Sequence, residues 1–196
     1  MRVSSGMRGM ALIAVGAVLM LATTAASASA PGNGFAARAR SAGLTAAQVG
    51  ALQQEVDVFI GHYGGRQVAI NKVAFAGGSV LFPVPGRNAR AVANASAGQT
   101  VETTDTTSCP LGAFCAWPDP NYGGARRAFY ACGTDWPNPF LSDQIGSWKN
   151  DQTPQNGSGP RVKMLDSHHD VIYTTAPPWS ASTAFSWFNV YYFRVC

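Results

Sequence analysis

The sequence contains 196 residues, with fourteen lysines and arginines against ten acidic residues and a formal net charge of +4. This small charge, whose only local cluster is the pair Arg126 and Arg127, argues against a nucleic-acid partner, because such a protein needs a basic face with many phosphate contacts. The length allows one domain, or one domain with a short companion.

The first thirty residues have the order of a secretory signal. Arg2 and Arg8 precede an apolar run at 10–21, and small residues follow at 26–30. The apolar run is shorter than the roughly 20 residues that a membrane-spanning helix needs. We therefore predict a signal peptide at 1–28, and a secreted mature chain without a membrane partner.

The next segment is predicted to be a short helix followed by a β-hairpin. Residues 31–43 are small and basic and are expected to be flexible. A helix is then expected to start at Thr45, because Thr45 and Gln48 have the spacing of a capping box. Its apolar stripe recurs at steps of three and four residues and comprises Leu52, Val56, Phe59, Ile60 and Tyr63. Gly64 and Gly65 end the helix.

Two strand-like runs, 67–75 and 79–84, flank the turn residues 76–78, which predicts a hairpin. A helix and one hairpin bury little surface by themselves. The whole segment 31–85 is therefore expected either to dock on the later domain or to be a pro-region. Residues 86–107 are rich in small and polar types without periodicity, which indicates a flexible linker.

From residue 108 to 196 the sequence is dense in aromatic residues, with Gly and Pro between short runs. Alternating patterns at 161–165, 171–173 and 189–195 predict strands. No helical stripe is present. The fold class predicted for the chain is therefore mainly β, with a sandwich or barrel at the C-terminus.

All four cysteines lie in this domain, and an even number in an exported chain indicates disulfides. Zinc is the rival explanation, but the C-x-x-C spacing is absent and the three histidines do not fall at zinc-finger intervals. Of the three possible pairings we favour Cys109 with Cys115, which closes a tight local loop and leaves Cys132 for Cys196.

The most specific stretch is Cys109-Pro-Leu-Gly-Ala-Phe-Cys-Ala-Trp-Pro-Asp-Pro-Asn-Tyr-Gly-Gly124. Trp117, Tyr122 and Gly124 reproduce the aromatic and glycine signature of βγ-crystallin Greek keys. In that pattern two rings cover a folded-back strand, and glycine takes a backbone conformation unfavourable for other residues. In that family a later serine pins the fold-back, and Ser147 stands in the matching place.

This stretch begins with the pattern Cys-Pro-x-Gly-x-Phe-Cys, which limits the resemblance to one group among crystallin-like proteins. The domain resembles the actinobacterial secreted peptidase-inhibitor family, which comprises small metalloproteinase inhibitors on a βγ-crystallin-like Greek-key sandwich. The resemblance implies a secreted, monomeric inhibitor of an extracellular protease. It does not identify the inhibitory loop, and crystallin-like domains also serve other functions.

Calcium-binding members of the crystallin superfamily supply side-chain oxygens from the stretch that here reads Ser142-Asp-Gln-Ile-Gly-Ser147. Gly146 has no side-chain oxygen where a ligand is expected. Asp119 and Asp143 are the only calcium candidates that we name, since calcium also accepts carbonyl and water ligands. We expect no required cofactor.

No catalytic constellation is evident. His168, His169 and Asp170 are adjacent between two strand-like runs, which is typical of a turn, and no G-x-S-x-G elbow or paired carboxylates occur. We therefore expect a protein that is not an enzyme. The aromatic tail 177–188 has two interpretations: Trp179 and Trp187 either fill the core or form an exposed anchor for a partner.

Three functional hypotheses follow. The first is a secreted inhibitor of extracellular proteases, most plausibly metalloproteases. The second is a structural or adhesive module at the cell wall that binds glycan or protein through exposed aromatic residues. The third is a crystallin-like antimicrobial toxin.

Overall fold

A computed structural model describes residues 32–86, 106–138, 144–154 and 159–196. The predicted signal peptide, nearly all of the predicted linker and the calcium candidate Asp143 lie outside these ranges. Within them the chain is mainly β, which confirms the predicted fold class. Two helices precede eleven strands that form two antiparallel sheets, an arrangement consistent with a Greek-key sandwich.

The helices are α1 (Gly32–Ser41) and α2 (Ala46–Tyr63). The prediction of a flexible start was wrong for α1. This segment is rich in alanine and has two arginines in its last turn, where cations stabilise a helix end, and it buries Ala39 completely. The capping box of α2 is confirmed: the Thr45 side chain accepts a hydrogen bond from the Gln48 backbone, and Gln48 accepts one from the Thr45 backbone.

Three short strands follow α2, namely β1 (Arg66–Ala69), β2 (Lys72–Phe75) and β3 (Gly78–Leu81). The predicted single strand 67–75 is therefore divided into two. Asn71 accounts for the division, because its buried side chain donates to the Phe82 carbonyl while its own carbonyl accepts from Phe82 N–H. These two bonds hold a tight turn between β1 and β2.

The remaining strands belong to the disulfide-bonded region. They are β4 (Phe114–Trp117), β5 (Arg126–Phe129), β6 (Asp135–Pro137), β7 (Ile145–Asn150), β8 (Lys163–Leu165), β9 (Val171–Thr174), β10 (Ser180–Ser186) and β11 (Tyr192–Arg194). One sheet has the order β1-β2-β3-β5-β4-β7-β10, and the other has the order β6-β11-β8-β9.

The N-terminal strands are continuous with the first sheet. Strand β3 pairs with β5 over four residue pairs, from Gly78 opposite Phe129 to Leu81 opposite Arg126. Segment 32–86 thus extends the sheet of the later region. Whether it is removed as a pro-region stays a prediction.

Two main cores result. In the N-terminal one, α2 packs on β1–β3 through mostly aliphatic side chains, among them Leu52, Val56, Ile70 and Val73. The other lies between the two sheets and is mostly aromatic, with Phe114, Phe129, Trp148, Trp187 and Phe193 as its largest members. A smaller cluster around Cys115 and Trp117 covers the opposite face of β4 and β5.

Candidate functional site

The fold-back after β4 brings the four signature residues together. The rings of Trp117 and Tyr122 meet edge to face with centroids 5.1 Å apart. The Ser147 hydroxyl accepts a hydrogen bond from Tyr122 N–H at 2.9 Å and donates one to the Asp119 carbonyl at 2.7 Å. Ser147 is fully buried. One hydroxyl therefore satisfies two backbone groups of the folded segment, as a pin of this kind requires.

Gly124 closes the fold-back with a φ of +78°. A Cβ placed there would lie 2.5 Å from Pro118 Cγ, so both the backbone angle and the space require glycine. The short turn Pro120–Tyr122 also holds two other residues at positive φ, Asn121 at 55° and Tyr122 at 64°. The Tyr122 conformation is maintained by its backbone bond to Ser147 and by its ring contact with Trp117.

The structure leaves no room at Gly146 for the side-chain oxygen that a calcium site of the predicted kind would need. At Gly146 a Cβ would lie 1.9 Å from Trp187 Nε1 and 2.3 Å from the Trp117 carbonyl. The indole N–H of Trp187 donates to that carbonyl at 2.9 Å and fills the space that a side-chain oxygen would need. Within the described ranges no group of three or more His, Cys, Asp or Glu residues could hold a metal ion.

The two disulfides pair Cys109 with Cys115 and Cys132 with Cys196. The first joins two cysteines that are six positions apart, and the loop that it closes leads directly into β4. The second ties the end of the chain to the segment between β5 and β6. The Cys132–Cys196 bridge lines a shallow depression that also contains Gly112 of the Cys109–Cys115 loop. No cysteine is free.

Two loops with exposed apolar side chains lie at one end of the first sheet, which we call the loop end. Leu111, inside the Cys109–Cys115 loop, is 71% exposed, and Trp179, just before β10, is 62% exposed. Strand β7 lies between the two loops, since Phe114 of β4 and Ser180 of β10 both face Asn150. Two strand spacings, on the order of 10 Å, therefore separate Phe114 and Ser180, the residues next to which the two loops join the sheet.

Hydrogen bonds hold both loops of the loop end to β7. Gly112 N–H donates to the Asp151 carbonyl at 2.8 Å, and Asp151 N–H donates to the Ala113 carbonyl at 3.0 Å. On the other side, Trp179 N–H donates to the Asn150 carbonyl at 2.7 Å. Leu111 and Trp179 are therefore presented from fixed backbone rather than from free loops.

The Asn150 side chain braces the loop end from inside. It is fully buried, and its amide nitrogen donates to the carbonyls of Pro160 and Ala176 at 3.0 and 3.2 Å. Its side-chain oxygen accepts from Gln152 N–H. Three separate segments are thereby tied to one amide, which fixes the backbone leading to Trp179.

Charged groups beside the loop end lie on the Trp117 side. Lys149 Nζ donates to the Thr107 carbonyl and lies 4.0 Å from the centroid of the Tyr122 ring. Burial raises the pKa of Asp151, against the opposing effect of Lys149. Burial, followed by the nearby charge of Asp151, raises the pKa of Tyr122.

The histidine pair lies in a turn between β8 and β9, as predicted. Asp166 accepts backbone hydrogen bonds from His168 and Asp170. His169 stacks on Tyr192, with its Nδ1 2.8 Å from Asp135 Oδ2. Two hydrogen bonds from Arg194 come first among the causes that lower the pKa of Asp135 to about 2. This cluster joins β6, β11 and the turn.

The aromatic tail is divided between the two interpretations. Trp187 is fully buried in the core, whereas Trp179 is exposed and has a φ of +67°. Between these two tryptophans, β10 forms an edge strand that was not predicted, because its serine-rich pattern resembles a loop.

Leu111 was not predicted as a site residue, although its place inside a predicted disulfide loop is a usable signal. Asn150 carries no signal in sequence.

Residues 102–156 match the model of peptidase inhibitor family I36. The match covers 55 of the 196 residues and includes the Cys109–Cys115 loop, the fold-back and Ser147. It supports a peptidase-inhibitor family and a protein that is not an enzyme. No curated protein and no solved structure shows significant similarity to this chain. Within the described residues no helix is long and apolar enough to cross a membrane.

Proposed function

From the similarity of residues 102–156 to peptidase inhibitor family I36, we propose that this chain is a secreted, monomeric inhibitor of extracellular metalloproteases that acts through the loop end. The observation that carries the proposal is Leu111. It lies inside the matched segment, in a loop closed by a disulfide, with 71% of its surface exposed. Secretion is supported by the signal-like first thirty residues and by the presence of disulfides.

The physical route is the insertion of a rigid apolar loop into a protease cleft. Leu111 supplies the side chain for an apolar pocket of the protease. The Cys109–Cys115 bridge and the bonds of Gly112 and Ala113 to Asp151 hold the loop in place before binding. Little conformational entropy is then lost on association, which favours tight binding. Trp179 contacts the rim of the cleft, since Trp is prominent among residues that contribute most to binding.

The decisive experiment measures inhibition of a thermolysin-like and a subtilisin-like protease by the purified protein with both disulfides intact. We expect inhibition of the metalloprotease only. One methylene group in an apolar pocket already changes recognition by about 10- to 200-fold. Leu111→Asp should therefore weaken inhibition by at least about 10-fold, and Trp179→Ala should weaken it less.

Val58→Asp provides the matched control, because Val58 is also exposed, at 55%, but lies on α2 away from the loop end. Its inhibition constant should equal that of the unaltered protein. Absence of inhibition of both proteases at micromolar concentration would reject the inhibitor function. Full inhibition by Leu111→Asp would instead reject the loop end as the inhibitory site.

Exposed aromatic rings favour one second candidate, a module that binds cell-wall glycan or protein. Trp179 and Phe188 are both more than 60% exposed. Sedimentation with purified wall material separates the two functions, because an inhibitor should stay in the supernatant. Retention on the wall that Trp179→Ala abolishes would favour the wall-binding module.

A further inference from the structure

A cavity of about 280 Å³ lies where α2, the turn between β2 and β3, β5 and β6 meet. Its walls are mostly aromatic, and its lining includes Tyr63, Phe75, Ala76, Arg127, Phe129 and Trp136. Arg127 and Phe129 are buried, whereas Tyr63 and Ala76 are exposed. The cavity therefore has a closed floor and a mouth that opens to solvent, as small-molecule sites do.

The Trp136 ring forms one wall of the cavity, and it can lie there because Gly77 has no side chain. A Cβ at Gly77 would lie 2.3 Å from a ring carbon of Trp136, and the φ of Gly77 is +77°. The indole N–H of Trp136 donates to the Ala131 carbonyl at 3.2 Å, which fixes the ring. This wall is therefore formed before any ligand enters.

The floor of the cavity holds the Arg127 guanidinium, a residue that is only 3% exposed. Its central carbon lies 4.9 to 5.6 Å from the ring centroids of Phe59, Tyr63, Phe75 and Phe129. Nη1 donates to the Pro137 carbonyl at 3.1 Å, but Nε has no hydrogen-bond partner among the described residues. No acidic side chain in the described ranges forms an ion pair with it.

Ring faces attract a cation but cannot accept its in-plane N–H groups in the way a carboxylate does. Burial lowers the pKa of Arg127 to about 9, so the side chain is still a cation at neutral pH. A buried cation without an anionic partner is costly, and a buried donor without an acceptor adds to that cost. Both costs are removed by a carboxylate that enters the cavity.

We propose that this cavity binds a carboxylate attached to one small apolar group, with the carboxylate on Arg127 and the apolar group between the rings. Two sources share this chemistry: a free organic acid, and the C-terminal residue of a polypeptide that ends in an apolar side chain. Phe59, Tyr63 and Phe75 come from segment 32–86, so the site exists only while that segment is attached. The proposal is independent of the inhibitor function, because the cavity is built from elements other than the loop end.

The test uses the ¹⁵N-labelled protein with segment 32–86 attached and both disulfides intact, titrated with phenylacetate for the free acid and with N-acetyl-phenylalanine for the polypeptide end. Phenylacetamide and N-acetyl-phenylalanine amide are the neutral controls. We expect saturable shifts of the Arg127 Nε–H and Trp136 Nε1–H resonances with at least one acid. Its amide should bind at least about 10-fold more weakly, and the tighter acid identifies the source.

Arg127→Met should abolish binding, whereas Arg66→Met, which removes an exposed arginine on β1, should leave it unchanged. If Arg127→Met does not fold, Ala76→Leu tests the same site, because it narrows the mouth and keeps the cation. That variant should weaken binding of the acid at least about 10-fold. Absence of saturable binding of both acids up to about 10 mM, or equal binding of acid and amide, would overturn the proposal.

Discussion

The N-terminal segment 32–86 and the sandwich 106–196 share one sheet but form their cores by different means. In the N-terminal core, the apolar stripe of one capped helix packs against three adjacent strands, and all of these elements lie within a short stretch of sequence. The sandwich core joins rings that are far apart in sequence, such as Phe114 and Phe193 with centroids 5.6 Å apart. Two disulfides and a few single side chains, such as Ser147 and Asn150, hold this long-range arrangement.

This difference shows why local signals are strong in one region and weak in the other. A helix with its cap is specified by residues a few positions apart. Long-range ring packing depends on which strands become neighbours, and each such contact closes a long loop. Arg127 lies at the junction, where rings from both regions surround it. The cavity beside it belongs to neither region alone.

The largest expected effect separates the two tryptophans of the C-terminal tail. Trp187→Ala should lower the free energy of unfolding by about 3–5 kcal/mol, because it leaves a cavity in the aromatic core and removes the bond to the Trp117 carbonyl. Trp179→Ala should change it by less than about 0.5 kcal/mol, since this ring is exposed. Urea unfolding followed by circular dichroism measures both. Equal losses for the two variants would contradict this assignment of core and surface.

The next effect tests whether the two regions unfold together. All five tryptophans lie in the sandwich region and both described helices lie in the N-terminal segment, so fluorescence and far-ultraviolet dichroism report on different regions. Because β3 pairs with β5, the two transitions should coincide. Leu52→Ala should lower the stability seen by both probes by about 2–5 kcal/mol.

Exposed Val58 on the same helix supplies the control for Leu52. Val58→Ala should leave both transitions within about 0.5 kcal/mol of the unaltered protein. A helix transition that moves in Leu52→Ala while the fluorescence transition stays in place would mean that segment 32–86 unfolds by itself. Such independence would favour its role as a removable pro-region.

The smallest effect concerns the ion pair that joins β6 to β11. The pKa of Asp135 is lowered to about 2, chiefly by the hydrogen bonds from Arg194. When the pKa of a carboxyl is lower in the folded chain than in the unfolded chain, its ionised form stabilises the fold. This stabilisation is complete at every pH above the unfolded pKa, which is about 4 for aspartate. That contribution declines as the pH falls from about 4 through 2. Asp135→Asn should therefore cost about 1 kcal/mol at pH 7 and nearly nothing at pH 2.

Thermal unfolding of this variant and of the unaltered protein across that pH range provides the measurement. Asp170→Asn is the matched control, because Asp170 lies in the neighbouring turn and its side chain makes none of the bonds to Arg194. This variant keeps both bonds between Asp135 and Arg194, so at pH 7 its stability should lie within about 0.5 kcal/mol of that of the unaltered protein. An Asp135→Asn difference that is constant from pH 7 to pH 2 would show that the ion pair adds no stability.

Much of this architecture could be predicted from the sequence. The capping box fixed the start of α2, and alternation placed β8, β9 and β11 within a few residues. The spacing of Trp117, Tyr122 and Gly124 predicted a folded-back strand. In each case the governing interactions are local, so nearby residues carry the signal.

Other features depended on contacts that no local pattern encodes. The helical start at α1 was missed because it is stabilised by packing against α2 as well as by its own composition. The loss of a ligand oxygen at Gly146 was evident in sequence, but the reason for it is the indole N–H of Trp187, forty-one positions later. The Leu111 and Trp179 loops share the loop end only because β4 and β10 pair with opposite edges of β7.

The sequence by itself determined the β-rich class, the even set of cysteines and the fold-back signature, because each rests on composition or on short spacings. Only the tertiary structure decided which tryptophan is buried, which exposed side chains share one end of the sheet, and how Arg127 meets its rings. Those outcomes depend on strand order and on close packing between distant segments, and these are properties of the assembled chain.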